Sequence, residues 1–156
     1  MDSIQTRITL DESLNALTDS IVRLSSNIDG AIEQAMRAFS DCDVDLAQQI
    51  IAEDTNINSK RFELEETCLH IMVTQQPVAV DMRMIIAAMN IVTELERMGD
   101  HAAGIARLAL RVEEVPKRGL PGAIFHIASQ CRDMLGRAVE AFIQRDASKA
   151  YAVAAN

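Results

Sequence analysis

The chain has no tryptophan, one tyrosine and four phenylalanines in 156 residues, and only three prolines and six glycines interrupt it. Alanine, isoleucine, leucine and eight methionines supply the apolar half of the sequence instead. Small and straight-chain residues lose little freedom in a helix, so this composition points to an all-α protein built from long helices. Basic residues are also in deficit, fifteen against twenty-three acidic ones, giving a net charge of −8 and an isoelectric point near 4.8. A surface of that sign repels phosphate backbones and anionic headgroups, which excludes nucleic acid as an expected partner.

No apolar run approaches the roughly 20 residues needed to cross a bilayer. Met1 to Gln5 lacks the basic segment and apolar block of a secretory signal, so a cytoplasmic protein without membrane insertion is expected. Cys42, Cys68 and Cys131 are odd in number and show no Cys-x-x-Cys spacing. Neither a disulfide framework nor a zinc site is expected from them. There is no glycine-rich phosphate cradle and no nucleophile elbow.

The sequence does carry helical periodicity. Leu10, Leu14, Leu17, Ile21, Leu24, Ile28, Ala31, Ala35 and Ala38 alternate by four and three, a heptad seam that predicts a first helix of about thirty residues. Asp41-Cys42-Asp43 breaks it, and Asp43 is placed to cap the next helix. This second helix continues the spacing through Ala47, Ile50, Ile57, Leu64, Cys68 and Ile71, with Asp54 and Arg61 as polar seam positions. Gln75-Gln76-Pro77 ends it. The third helix, expected from about Val78 to Val112, buries Ile85, Ala88, Val92, Leu95, Gly99, Ala102, Ala106 and Ala109.

The third helix carries Glu94-Leu95-Glu96-Arg97-Met98-Gly99-Asp100-His101. Glu96 and Asp100 stand one turn apart on one side, with Cβ atoms roughly 5–6 Å apart, an arrangement suited to a hard cation. A solvated face with Glu94 paired to Arg97 explains the same residues without metal. If the hairpin turns near residue 76, Asp54 comes level with Glu96 and Asp100, and Asn58 level with Glu94. Thr93 extends the polar stripe. Asp81 suits the positive end of the third helix dipole, and Arg83 is placed to pair with Glu65 or Glu66.

Pro116, Gly119, Pro121 and Gly122 mark a boundary. Beyond it a fourth apolar-periodic stretch runs from Ile124 to Phe142, and Asp146 begins a fifth. Ala35-Met36-Arg37-Ala38-Phe39 aligns with Ala138-Val139-Glu140-Ala141-Phe142 at an offset of 103, which carries Asp43 onto Asp146. The organisation expected is a first three-helix repeat over 6–115, a linker over 116–122 and a partial second repeat over 123–156.

With those residues assembled, the chain resembles the PhoU family of bacterial phosphate-signalling regulators. Gln76-Pro77-Val78-Ala79-Val80-Asp81-Met82-Arg83 followed by Leu95-Glu96-Arg97-Met98-Gly99-Asp100-His101 is similar to the family's Pro-Val-Ala-x-Asp-Leu-Arg and Glu-Arg-Ile-Gly-Asp segments. Asp54, Ile57 and Asn58 fit its second helix. The resemblance implies two similar three-helix bundles, the second incomplete here, with surface Glu/Asp-x-x-x-Asp motifs that bind divalent or iron-type metal ions. In this chain the implied ligands are Glu96 and Asp100, with Asp54, Asn58, Thr93, Asp81 and Arg83 as a surrounding polar network. It further implies a negative regulator rather than an enzyme, an adaptor between the Pst transporter ATPase and a PhoR-type histidine kinase, and a homo-oligomer. Two alternatives remain: a carboxylate-bridged di-metal enzyme, which needs a Glu-x-x-His pattern that this chain lacks, and a metal-free helical scaffold.

Overall fold

The computed structural model describes residues 2–111 and 121–155, with side chains from Arg7 onward. Its elements are α1 (Asp2–Asp41), α2 (Val44–Gln75), α3 (Ala79–Ala109), α4 (Gly122–Gln144) and α5 (Ala147–Ala154). Among the described residues there is no strand, as the composition predicts. Of the expected linker, residues 116–120 lie outside the described residues, as does the expected end of the third helix at Val112.

Helix α1 is longer than expected, 40 residues rather than about thirty. The apolar seam starts only at Leu10, but nothing in the polar first turns breaks a helix, so α1 reaches back to Asp2. Its centre is the core of the molecule: Leu14, Leu17, Ile21, Leu24 and Ile28 are fully enclosed. Each such side chain contributes about 1.5–3 kcal/mol relative to remaining in water. Past Ile28 the buried positions broaden to Ile32, Ala35, Met36 and Ala38, while Ala31 is only half-buried. The reason is that α1 touches α2 and α3 on one side and α4 on another, so a single seam no longer describes it.

The α1–α2 and α4–α5 corners are the same device used twice. Helix α1 ends with Cys42 in the left-handed region (φ 54°), and the Asp43 amide donates back to the Ala38 carbonyl at 2.9 Å. At α4 the left-handed residue is Arg145 (φ 52°), and the Asp146 amide donates to the Ala141 carbonyl at 2.9 Å. This amide-to-carbonyl closure satisfies carbonyls that a helix end leaves open. Asp43 then accepts from the Leu46 amide, and Asp146 accepts from those of Ser148 and Lys149. Every one of these positions except Ser148 falls on its partner at the repeat offset of 103.

The repeats meet at their equivalent positions too. Arg132 of α4 donates to both oxygens of Asp29 of α1 (2.7 and 2.8 Å), and these residues are 103 apart. Arg132 also pairs with Glu33 at 2.9 Å. Met36, Arg37 and Ser40 line a cavity with Phe125 and Ala128, so α1 and α4 run antiparallel about that crossing. The Arg132 hydrogen bond holds the Asp29 carboxyl below its usual range, against a smaller opposing effect of burial. A lowered folded-state value contributes stability above the unfolded carboxylate pKa, about 4, that is lost as pH falls through the folded value. Asp29→Asn is therefore expected to lower the melting temperature at neutral pH, by no more than about 1 kcal/mol for so exposed a pair. The difference from the parent should close in melts taken at progressively lower pH.

Candidate functional site

The site is assembled where α2 packs against α3 at Gly99. Gly99 faces the side chain of Ile57, and a Cβ placed on it would lie 3.1 Å from both the Cδ1 and Cγ2 atoms. The missing side chain lets the two helices close, which brings Asp54, one turn before Ile57, beside Asp100, the residue after Gly99. Asp54 also meets Arg107 of α3 at 3.7 Å, a long ion pair. Burial raises the Asp54 carboxyl above its usual range, the Asp100 carboxylate adds to that, and Arg107 opposes both.

The hairpin expectation is thus corrected in level. Ile57 meeting Gly99 centres the turn near residue 78, not 76. The connection is longer than assumed, with Gln76 left-handed at φ 45° and Val78 extended before α3 begins. Asp54 consequently faces Asp100 and Arg107 rather than standing between Glu96 and Asp100.

The remaining candidates divide. Glu96 is half-buried one turn before Asp100, and Asp100 is exposed. Thr93 donates to the Met89 carbonyl at 3.0 Å and Asn58 to the Asp54 carbonyl at 3.3 Å, so both spend a donor on their own helices. Glu94 pairs with Arg97 through two contacts of 2.8 and 2.9 Å, the solvated-face arrangement. Asp81 lies about 28 Å along α3 from Asp100, at the far end of the bundle. It is only 2% exposed and takes the guanidinium of Arg7 at 2.6 Å. Arg83 is exposed and, among the described residues, forms no ion pair; Glu65 is taken instead by Arg61 of its own helix, at 3.0 Å. His70, His101 and His126 are all exposed. Cys68 is buried beside Glu65, and burial foremost pushes its thiol up to about 11, which leaves it protonated and unreactive at neutral pH.

A resident metal would take from this chain the hard oxygens of Glu96 and Asp100. Among the described residues no group of three or more His, Cys, Asp or Glu side chains is arranged to hold an ion. The fit is therefore partial: two carboxylate donors for an oxygen-preferring cation, with water or another molecule completing the shell. The acid that comes alongside, Asp54, disfavours its own charge there. Asp54→Asn is expected to raise the melting temperature at pH 7. A raised folded-state value destabilises the charged form, so the advantage should vanish below the unfolded carboxylate pKa, about 4.

Three long helices with an acidic outward stripe, followed by the opening of a second copy of the same unit, define a repeat-built helical bundle. A family model described as the PhoU domain matches residues 21–109. The chain belongs to the PhoU family. It is 31% identical over 149 residues to a phosphate-specific transport system accessory protein PhoU homolog from Clostridium acetobutylicum, covering 95% of this chain and 68% of that protein. A Pseudomonas aeruginosa homolog with the same description is 34% identical over 143 residues, covering 90% of this chain and 59% of its own length. The crystal structure of the phosphate transport system regulatory protein PhoU from Streptococcus pneumoniae superposes with a TM-score of 0.84 at 30% identity, over 93% of this chain and 68% of that one. No helix among the described residues is long and apolar enough to cross a membrane.

Proposed function

We propose that this chain acts as a PhoU-type accessory and regulatory protein of phosphate transport, working in the cytoplasm as an adaptor. Its partners in this reading are the ATPase of the Pst transporter and a PhoR-type histidine kinase, and it restrains the phosphate-starvation response when phosphate is sufficient. The observation that carries the reading is the agreement of the whole helical path with a phosphate transport regulatory protein over 93% of the chain. The acidic surface supports docking on basic protein faces and disfavours nucleic acid. With no phosphate cradle in its sequence, the chain senses phosphate through a partner's conformation. Purified chain should bind the transporter ATPase or the kinase cytoplasmic domain, in a manner that changes with the partner's phosphate or nucleotide state. Failure to bind either would remove the reading.

The metal motif belongs to the same proposal. Glu96 and Asp100 hold a divalent or iron-type cation at the surface, which also relieves the acidic crowding at Asp54. Glu96→Ala with Asp100→Ala is expected to abolish bound transition metal by elemental analysis while helix content by circular dichroism stays unchanged. Metal content unaffected by the double substitution would move the site elsewhere. A metal-free scaffold is the second reading, favoured by the lack of a three-ligand group among the described residues. Self-association is expected in either case.

A further inference from the structure

The acids of the candidate site have one basic partner, and it is held loosely. Among the described residues Glu96 and Asp100 form no ion pair, and Asp54 forms one, with Arg107. At 3.7 Å it is the longest ion pair among the described residues, beyond hydrogen-bond range. The pairs that tie helix to helix elsewhere are tighter. Arg7 meets Asp81 at 2.6 Å, and Arg132 grips both oxygens of Asp29 at 2.7 and 2.8 Å. Arg97, beside Glu96 in sequence, is taken by Glu94.

The local sequence explains the slack. Arg107 follows Asp100 by two turns on the same side of α3, roughly 10 Å further along the axis. Helical side chains lean towards the N-terminus, so its arm points back at the acids. The turn between them is Ala103 and Gly104, and a Cβ on Gly104 would meet nothing within 4 Å, so space stays open beside the arm. Arg107 is 48% exposed, whereas Asp54 is 14% exposed. The guanidinium thus reaches the acids from solvent, at the limit of ion-pair range, and gives up little on leaving.

We propose that Arg107 is a tethered cation that competes with the metal ion for this site. The proposal rests on the reading that Glu96 and Asp100 hold the ion. The guanidinium offsets the negative charge that Asp54 and Asp100 bring together. A divalent ion does the same with twice the charge and no tether. The two repel each other, so they do not share the same carboxylates. Arg107 therefore sets how tightly the ion is held, and ion binding returns its guanidinium to solvent as a free positive charge on α3. By linkage, whatever Arg107 contributes to the metal-free fold is what the ion has to displace.

The test is a manganese(II) titration of the full chain by calorimetry, with helix content checked by circular dichroism. Arg107→Met keeps the aliphatic stem and removes the charge, and it should tighten manganese binding about five- to tenfold. In an Asp54→Asn chain the same substitution should change the affinity by less than about twofold, because Arg107 then has no acid on α2 to hold it. Melts give a second reading: Arg107→Met should lower the melting temperature without manganese, and saturating manganese should close that gap. Equal affinities of parent and Arg107→Met, or equal tightening with and without Asp54, would overturn the proposal and leave the site in place. Binding by Arg107→Met alone would support it in its strongest form. Manganese bound by neither chain, or retained after Glu96→Ala with Asp100→Ala, would instead remove the reading that those two residues hold the ion, and the proposal with it.

Discussion

Replacing Ile28 with alanine lowers the unfolding free energy by about 2–5 kcal/mol, whereas Cys131→Ala, the truncation at the equivalent position of the second repeat, changes it by less than about 0.5 kcal/mol. Urea denaturation of dilute chain measures both. The contrast arises from burial alone. Ile28 sits at the middle of α1 with no exposed surface, enclosed by α2 and α3. Removing most of its side chain leaves a cavity among long helices that relax only partly. Cys131 is exposed, on a stripe that no helix among the described residues covers, so its thiol has little to lose. Equal costs at the two positions would mean that Cys131 is as enclosed as Ile28 in the isolated chain.

The second large effect is expected at Gly99. Gly99→Val should destabilise by about 1–3 kcal/mol through overpacking, because even the first added carbon already comes within 3.1 Å of Ile57. The Cγ2 atom of Ile57 hangs directly on a β-branched carbon and has little freedom to turn aside. The helices must separate, and Asp54 then moves off Asp100. A loss of stability should be accompanied by a fall in the Asp54 pKa towards its ordinary value, readable by carboxyl NMR titration. Gly104 supplies the control. A Cβ there meets nothing within 4 Å, so Gly104→Ala should stabilise by about 0.5–1 kcal/mol through helix propensity. A Gly99→Val chain as stable as the parent would show that close approach at this level is not what positions the site.

The apolar positions were the most legible part of the sequence. All eight residues expected on the inner side of α3, from Ile85 to Ala109, are buried, because periodicity records which side of a rod faces the core. The corners were legible as well, since Asp43 and Asp146 announce a new helix by their own chemistry. The level of Asp54 was less so. It depends on the conformation of Gln76, Pro77 and Val78, and one or two extra residues in a connection slide a whole hairpin without altering either helix's pattern. Long-range ion pairs were not legible at all. Arg7 and Asp81 are 74 positions apart and Asp29 and Arg132 are 103 apart, and nothing in a helical period says which charge on one rod meets which on another. Arg107 was within reach of the same reasoning. It lies two turns beyond Asp100 on the same side of α3, and a basic residue there is the natural counterweight to an acid arriving from α2.

The crossing of α1 and α4 has a consequence for the origin of the two-repeat plan. Where two identical subunits meet about a symmetry axis, the residue nearest the axis must face a copy of itself, and a carboxylate would confront a carboxylate. Tying the two units into one polypeptide lifts that constraint. Each side of the axis can then mutate alone, and one acid can be exchanged for the guanidinium that locks it. Joining the units in tandem thus makes available a bond that no symmetric pair of single units could form.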